Sequence, residues 1–240
     1  LQPASDSAVA ELLKDMVRRG LLLRIKGGLF NIIPYEADPA TWFPNWHLVA
    51  DSLAIGMDYY LGYNTALQIH GLTIQPFYVE QIVVGKQVRP AKLKVKDVEF
   101  QFIFHNAQHF FGWEQTWVDD FHRLPVSSLE KTLIDCLYEP EYASGIVEVA
   151  KAIHKSRNDL DFGRLGEYFG CFGVQAVTKR FGFLLDVFQI NPDFTRNLLP
   201  KLSNAYALLD PNLPKSGKFN SKWKLQINLD LETITSSIQT

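Results

Sequence analysis

The chain has 240 residues, of which 47% are hydrophobic, 13% aromatic and 21% charged, with a formal net charge of −2. That balance excludes a disordered polar tract and a surface coated with basic residues, so any nucleic-acid contact has to come from a local patch. The length suits a small domain followed by a larger one, and no apolar run approaches the roughly 18 residues that span a bilayer.

Taken in order, the first pattern is helical. Ser5 and Ser7 are possible caps, and Val9, Leu12, Leu13, Met16 and Val17 repeat at the spacing of one helix face. Gly20 is placed to end that helix. Residues 21–25 and 29–33 read as two short strands around Lys26-Gly27-Gly28, a tripeptide that permits a tight hairpin turn. Residues 35–44, flanked and interrupted by Pro34, Pro39 and Pro44, read as a linker. A helix is expected around 46–56, then a strand end and short helix in DYYLGYNTALQIHGLT. Strand-like runs follow at 77–84, 93–95 and 98–104, with shorter pieces across 116–126. Ser127 and Glu130 have the spacing of a capping box ahead of a helix that carries Leu129, Leu133, Ile134 and Leu137 on one face. Further helices are expected at 146–154, 162–169 and 174–188, and the alternation of Trp223, Leu225, Ile227 and Leu229 predicts a terminal strand.

The expected fold class is therefore α+β. Residues 1–36 would form a partial winged helix-turn-helix, its last helix and wing, and 37–240 a larger mixed α/β domain with a central sheet and a helical bundle segment. The chain opens on Leu1 and enters a regular pattern within a few residues, which leads to the expectation of a further segment upstream. Cys136 and Cys171 are expected as reduced, buried thiols in a cytoplasmic protein, since two cysteines cannot make the ligand set of a structural zinc site.

A winged helix reads DNA with a helix in the major groove while the hairpin touches the backbone or minor groove. Lys14, Arg18, Arg19, Arg24 and Lys26, with the Gly27-Gly28 tip, are the candidate DNA contacts, because long cationic side chains neutralise phosphates. Glu11 and Asp15 share that face and oppose such contact. The alternative is a basic helix end that complements the helix dipole beside an ordinary solvated hairpin. Lys86, Arg89, Lys92, Lys94 and Lys96 form a second basic run, readable as a nucleic-acid surface or as an edge strand guarded by lysines. Glu80, Asp97 and Glu99 raise the alternative of a metal-dependent nuclease, and His105 and His109, four apart, invite a metal search that their strand-and-loop setting weakens. No phosphate-binding glycine loop or nucleophile elbow is present, and no enzyme, metal or cofactor is expected.

LLKDMVRRGLLLRIKGGLFNIIP at 12–34, YYLGYNTALQIHGLTIQ at 59–75, LPVSSLEKTLIDCLYEP at 124–140 and AVTKRFGFLLD at 176–186 together resemble the AbiEi family, the antitoxin and regulator half of AbiE-type abortive-infection systems. The resemblance implies an N-terminal winged helix-turn-helix that binds inverted-repeat operator DNA and represses its own operon. It also implies a C-terminal antitoxin domain over 37–240 that counters a nucleotidyltransferase-type toxin without a stable complex. Gly62, His70, Gly71, Glu130, Asp135 and Arg180 fall on family motifs with structural roles in tight turns, a cap and a buried ion pair. The family's early helices, which brace the reading helix, have no counterpart ahead of Ser5 apart from residues 1–4, so weakened DNA binding is expected. A module that binds a protein partner and no DNA stands as a further alternative.

Overall fold

The structure is a computed structural model that describes residues 5–73, 78–236 and 238. Ser5 caps α1 (Asp6–Arg18) by accepting a hydrogen bond from the Ala8 amide at 3.3 Å. Gly20, at φ 73°, ends it as expected. β1 (Leu22–Lys26) and β2 (Leu29–Ile32) form an antiparallel hairpin with Lys26 opposite Leu29. The Gly27-Gly28 tip stands clear, with Gly28 at φ 78° and nothing within 4 Å of a Cβ built on either residue. Residues 35–44 carry no helix or strand, and α2 (Trp46–Leu53) follows, capped by the Asn45 side chain, which accepts from the His47 amide at 3.0 Å.

The central sheet is built from β3 (Tyr59–Leu61), β4 (Val79–Val84), β5 (Lys92–Val95), β6 (Val98–Phe104), β7 (Trp113–Trp117) and β8 (Arg123–Ser127), with α3 (Tyr63–Ile69) between β3 and β4. Its order is β5-β6-β4-β3-β8-β7. β4 pairs with β6, and β3 with β8, in parallel; the other pairs are antiparallel, so the sheet is mixed. The consecutive apolar run Ile82, Val83 and Val84 is buried throughout, as befits a strand covered on both faces. One core joins Leu61, Ile82, Phe100 and Val126 to Val49 and Leu53 of α2 and to Ile25 of the hairpin. The hairpin is thus packed into the sheet's own core through Ile25. Position 77, where the expected strand 77–84 begins, lies outside the described residues.

The opposite face, through Tyr60, Val83 and Ile103, packs against a helical layer. That layer comprises α4 (Leu129–Tyr138), α5 (Ile146–Lys155), α6 (Phe162–Phe172), α7 (Gln175–Val187) and α8 (Pro192–Leu198). β9 (Ala207–Leu208), β10 (Lys218–Asn220) and β11 (Leu225–Ile227) form a small second sheet in the order β10-β11-β9, and α9 (Leu231–Ser236) follows. The strand expected from the Trp223 to Leu229 alternation is therefore short and not terminal.

Two local expectations need correction. The cap of α4 is Ser128, which accepts from the Lys131 amide at 3.3 Å; Ser127 still belongs to β8 and bonds Thr132 Oγ1 at 2.6 Å. Glu130 reaches away from the helix start to the Asp161 amide at 3.0 Å and to Arg164 at 3.4 Å. Cys136 is buried as expected, but Cys171 is exposed, since the half-apolar α6 leaves one side open.

Gly182 of α7 has a packing reason. A Cβ there would lie 2.1 Å from the Trp223 ring, so only hydrogen lets the indole lie against the helix. Trp223 is fixed there by its Nε1–H, which donates to Asp186 at 2.6 Å. Gly182→Ala raises helix propensity yet overpacks this contact, and a net loss of about 2 kcal/mol is expected in urea denaturation. An unchanged midpoint would show that α7 and Trp223 shift apart without penalty.

Candidate nucleic-acid interface

Residues 5–33 carry five cations against three acids within a chain of net charge −2, so this segment is locally basic. Lys14 pairs with Glu11 at 2.7 Å, and Arg19 with Asp15 at 2.7 Å; Arg18 also reaches Asp15. All three cations are largely exposed, and such pairs contribute little, so phosphate can displace the carboxylates at small cost. Arg24 lines an apolar concavity of about 370 Å³ with Leu13, Val17, Gly28 and Phe30, between α1 and the hairpin. Lys26 turns the other way, its Nζ 3.5 Å from the Leu53 carbonyl at the end of α2. Lys14 and Arg24 thus meet Gly28 around this concavity, Arg18 and Arg19 lie at the end of α1, and the Lys26 side chain reaches α2.

The apolar stripe of α1 does not behave as a core stripe. No residue of the helix is buried, and Val9 and Leu12 are 43% and 59% exposed. The hairpin meets the helix on the flank of Leu13 and Val17, whereas Val9 and Leu12 stay exposed.

The second basic run does not form one patch. Lys92 and Lys94 lie on β5, an end strand of the sheet, where lysines discourage pairing with other chains. Lys92 also pairs with Glu99 at 2.9 Å. Lys96 donates to the Trp42 carbonyl at 2.8 Å and lies over the Phe43 ring, tying down the proline-rich segment. Lys86 borders a separate concavity with Met57 and Asp58, and Arg89 is exposed in the loop before β5.

The carboxylates of the nuclease alternative do not converge. Glu80 sits opposite Phe100, whereas Glu99 sits opposite Val79, so the two carboxylates leave opposite faces of the sheet. Glu80 is buried and bonded to His47 Nδ1 at 3.0 Å, while Asp97 is exposed in the β5–β6 turn. Among the described residues no group of three His, Cys, Asp or Glu side chains is arranged to hold a metal ion.

The buried ion pair expected among the motif residues forms at Asp135, and it belongs to a polar network between the sheet and the helical layer that sequence reasoning missed. Lys131 and Asp135, one turn apart on α4, form a fully buried ion pair. The Lys131 Nζ also donates to the Tyr60 hydroxyl at 3.0 Å and lies 5.1 to 5.4 Å from the ring centroids of Tyr60, Phe111 and Phe172. The Tyr60 hydroxyl stands 3.1 Å from both Asp135 Oδ2 and His105 Nδ1. On the other side of the ring, His105 Nε2 meets the Tyr63 hydroxyl at 2.8 Å, which reaches the half-buried Glu139 at 3.0 Å. The Tyr60 hydroxyl donates to Asp135 and the Tyr63 hydroxyl to Glu139, so the His105 ring sits between two tyrosines whose own protons go to carboxylates.

Burial dominates the electrostatics. It lowers His105 to about 4 and pushes Lys131 down against the opposing pull of Asp135. It raises Glu139 as well as the Tyr60 and Tyr63 hydroxyls. His109 stacks on Phe172 at 4.0 Å, so the two histidines serve this network and its aromatic wall. Arg180, the other buried cation of the motif set, donates to the carbonyls of Leu137 at 2.7 Å and Leu208 at 3.0 Å, joining α4 to β9. The sequence signal was available in part: a Lys and an Asp at i, i+4 on an otherwise apolar helix face.

Among the described residues no helix is long and apolar enough to cross a membrane. No family model matches the chain, and no curated protein matches it. A crystal structure of the RV2827C protein from Mycobacterium tuberculosis is similar, at a TM-score of 0.73 and 15% identity, over 96% of this chain and 83% of that one. At that identity the likeness shows a shared fold: a mixed α/β chain built on a mixed central sheet.

Proposed function

We propose that the chain is a DNA-binding, autoregulatory antitoxin that reads its operator with α1 and the β1–β2 hairpin as the last helix and wing of a winged helix-turn-helix. The observation that supports this is the local excess of cations, Lys14, Arg18 and Arg19 on α1 and Arg24 on the hairpin, with an unobstructed glycine tip, in an otherwise acidic chain. The Glu11 and Asp15 carboxylates hold Lys14, Arg18 and Arg19 in place without burying them. The antitoxin half of the reading rests on the order of the four sequence motifs, and its partner is a nucleotidyltransferase-like toxin.

Binding to the DNA upstream of the chain's own gene is measured by anisotropy at several salt concentrations. Arg18→Glu, Arg19→Glu and Arg24→Glu together are expected to abolish binding, and single Ala variants to lower the salt slope by about 1 for each phosphate no longer neutralised. Lys26→Ala is expected to leave the slope unchanged, because its ammonium serves the end of α2. Wild-type affinity in the triple variant would overturn the assigned surface. Co-expression with the product of the neighbouring gene tests the antitoxin half, since failure to rescue growth would leave DNA binding as the whole function.

A further inference from the structure

The two end strands of the central sheet are treated in opposite ways. β5 carries Lys92 and Lys94, whereas β7, with the sequence Trp113-Glu114-Gln115-Thr116-Trp117, carries no lysine or proline and exposes its tryptophans by 45% and 53%. An end strand without guards is a template for pairing with another strand.

The backbone phase of β7 is set at both ends. The Val118 amide donates to the His122 carbonyl, and the Ser128 amide to the Gly112 carbonyl. With the unbroken β7–β8 register between them, the alternation of an antiparallel ladder turns Glu114 and Thr116 toward β8. The amide and carbonyl groups of Trp113, Gln115 and Trp117 therefore face the open edge. Their side chains share one face with Pro125 and Arg123, and the Arg123 guanidinium lies 4.2 Å over the Trp117 ring. Phe121, in the β7–β8 turn, is 83% exposed.

We infer that β7 is a homodimerisation strand, pairing antiparallel with β7 of a second copy about a two-fold axis through Gln115. A two-fold contact must be self-complementary, and this strand is nearly a palindrome. The axis matches Gln115 with its own copy and Trp113 with Trp117, so every outward amide meets an outward carbonyl. The flanking charges complement as well. Each Glu114 falls beside a Thr116 hydroxyl and not beside another Glu114, while each Arg123, already stacked on Trp117, borders the second copy's Trp113. The two sheets become continuous, and the exposed tryptophans form cross-strand pairs of the type that anchors interfaces. This inference does not depend on DNA binding.

Sedimentation of the full chain over a dilution series is expected to show a reversible monomer–dimer equilibrium. Gln115→Pro removes an outward amide that β8 does not use, and Trp113→Lys copies the guard of β5; each is expected to leave a folded monomer, with circular dichroism as the check on folding. Lys94→Gln on the other edge leaves the dimer intact. The register is read by cross-linking in a Cys171→Ser background. Cα atoms of a directly paired residue lie about 5.5 Å apart, within disulfide reach, so Gln115→Cys is expected to link two copies on oxidation and Thr116→Cys is not. A wild-type chain that stays monomeric at the highest concentration would overturn the inference. So would a dimer that survives both edge variants, or cross-linking through position 116 in place of 115.

Discussion

Lys131→Ala is expected to destabilise the fold by about 3–5 kcal/mol, because it leaves the Asp135 carboxylate buried without its cation. The loss extends beyond the ion pair. Lys131 also donates to Tyr60 and fills the space between the Tyr60, Phe111 and Phe172 rings, so truncation opens a cavity beside an unpaired charge. The double variant Lys131→Met, Asp135→Leu is expected to recover much of this loss, since buried ion pairs and apolar pairs of similar volume differ little in stability. Equilibrium urea denaturation of the wild type and both variants decides the matter. A loss under about 1 kcal/mol for Lys131→Ala would mean that water or a proton reaches Asp135 readily.

Acid should weaken the protein through His105. In the unfolded chain the imidazole takes up a proton near its ordinary value of 6.5, whereas in the fold burial holds it neutral down to about 4. Between those values the unfolded state binds more protons. Stability is therefore fully present above 6.5, falls as pH drops toward 4, and changes no further on this account below that. The full span corresponds to about 3 kcal/mol. Glu139 works in the opposite sense, because burial raises its carboxyl and the folded state gains a proton first as pH falls. The quantity to measure is the difference in unfolding free energy between wild type and His105→Gln at neutral pH and near pH 4. The variant's curve is expected to be flatter over that interval; parallel curves would show that His105 does not set the acid response.

Much of the secondary structure was legible where the periodic signal was local. α1 with its Ser5 cap, the Gly27-Gly28 hairpin, α4 and α7 all follow from spacings of three and four residues or from a glycine turn. The cap of α4 was misplaced by one residue because Ser127 and Ser128 look alike until β8 claims the first. β7 was met only at its end, by the pieces expected from 116 on, because an exposed end strand has no buried side to impose alternation; β11 was expected from its alternation, whereas β9 and β10 were missed because strands of two or three residues exist through their partners. The mixed order of the central sheet, with β4 beside β6 and β3 beside β8, is a property of long-range pairing that no local pattern encodes.

The candidate surfaces divide the same way. The cations of 14–26 are visible in sequence as a cluster, but the reach of one of them, Lys26, toward the Leu53 carbonyl is decided by how the hairpin docks on α2. Glu80 and Glu99 lie near one another along the chain's strands, yet the sheet sends them to opposite faces. The buried network draws on positions 60, 63, 105, 131, 135 and 139, whose side chains meet because strands and helices separated by up to 76 residues pack together. By itself the sequence determined the helices up to α7, the hairpin, the locally basic segment and the mixed α/β character, since each depends on neighbours along the chain; α8 and α9 were not expected from it. Tertiary structure alone decided which charges are buried as partners and which edge of the sheet stays open, because both depend on groups that only folding brings within hydrogen-bond distance.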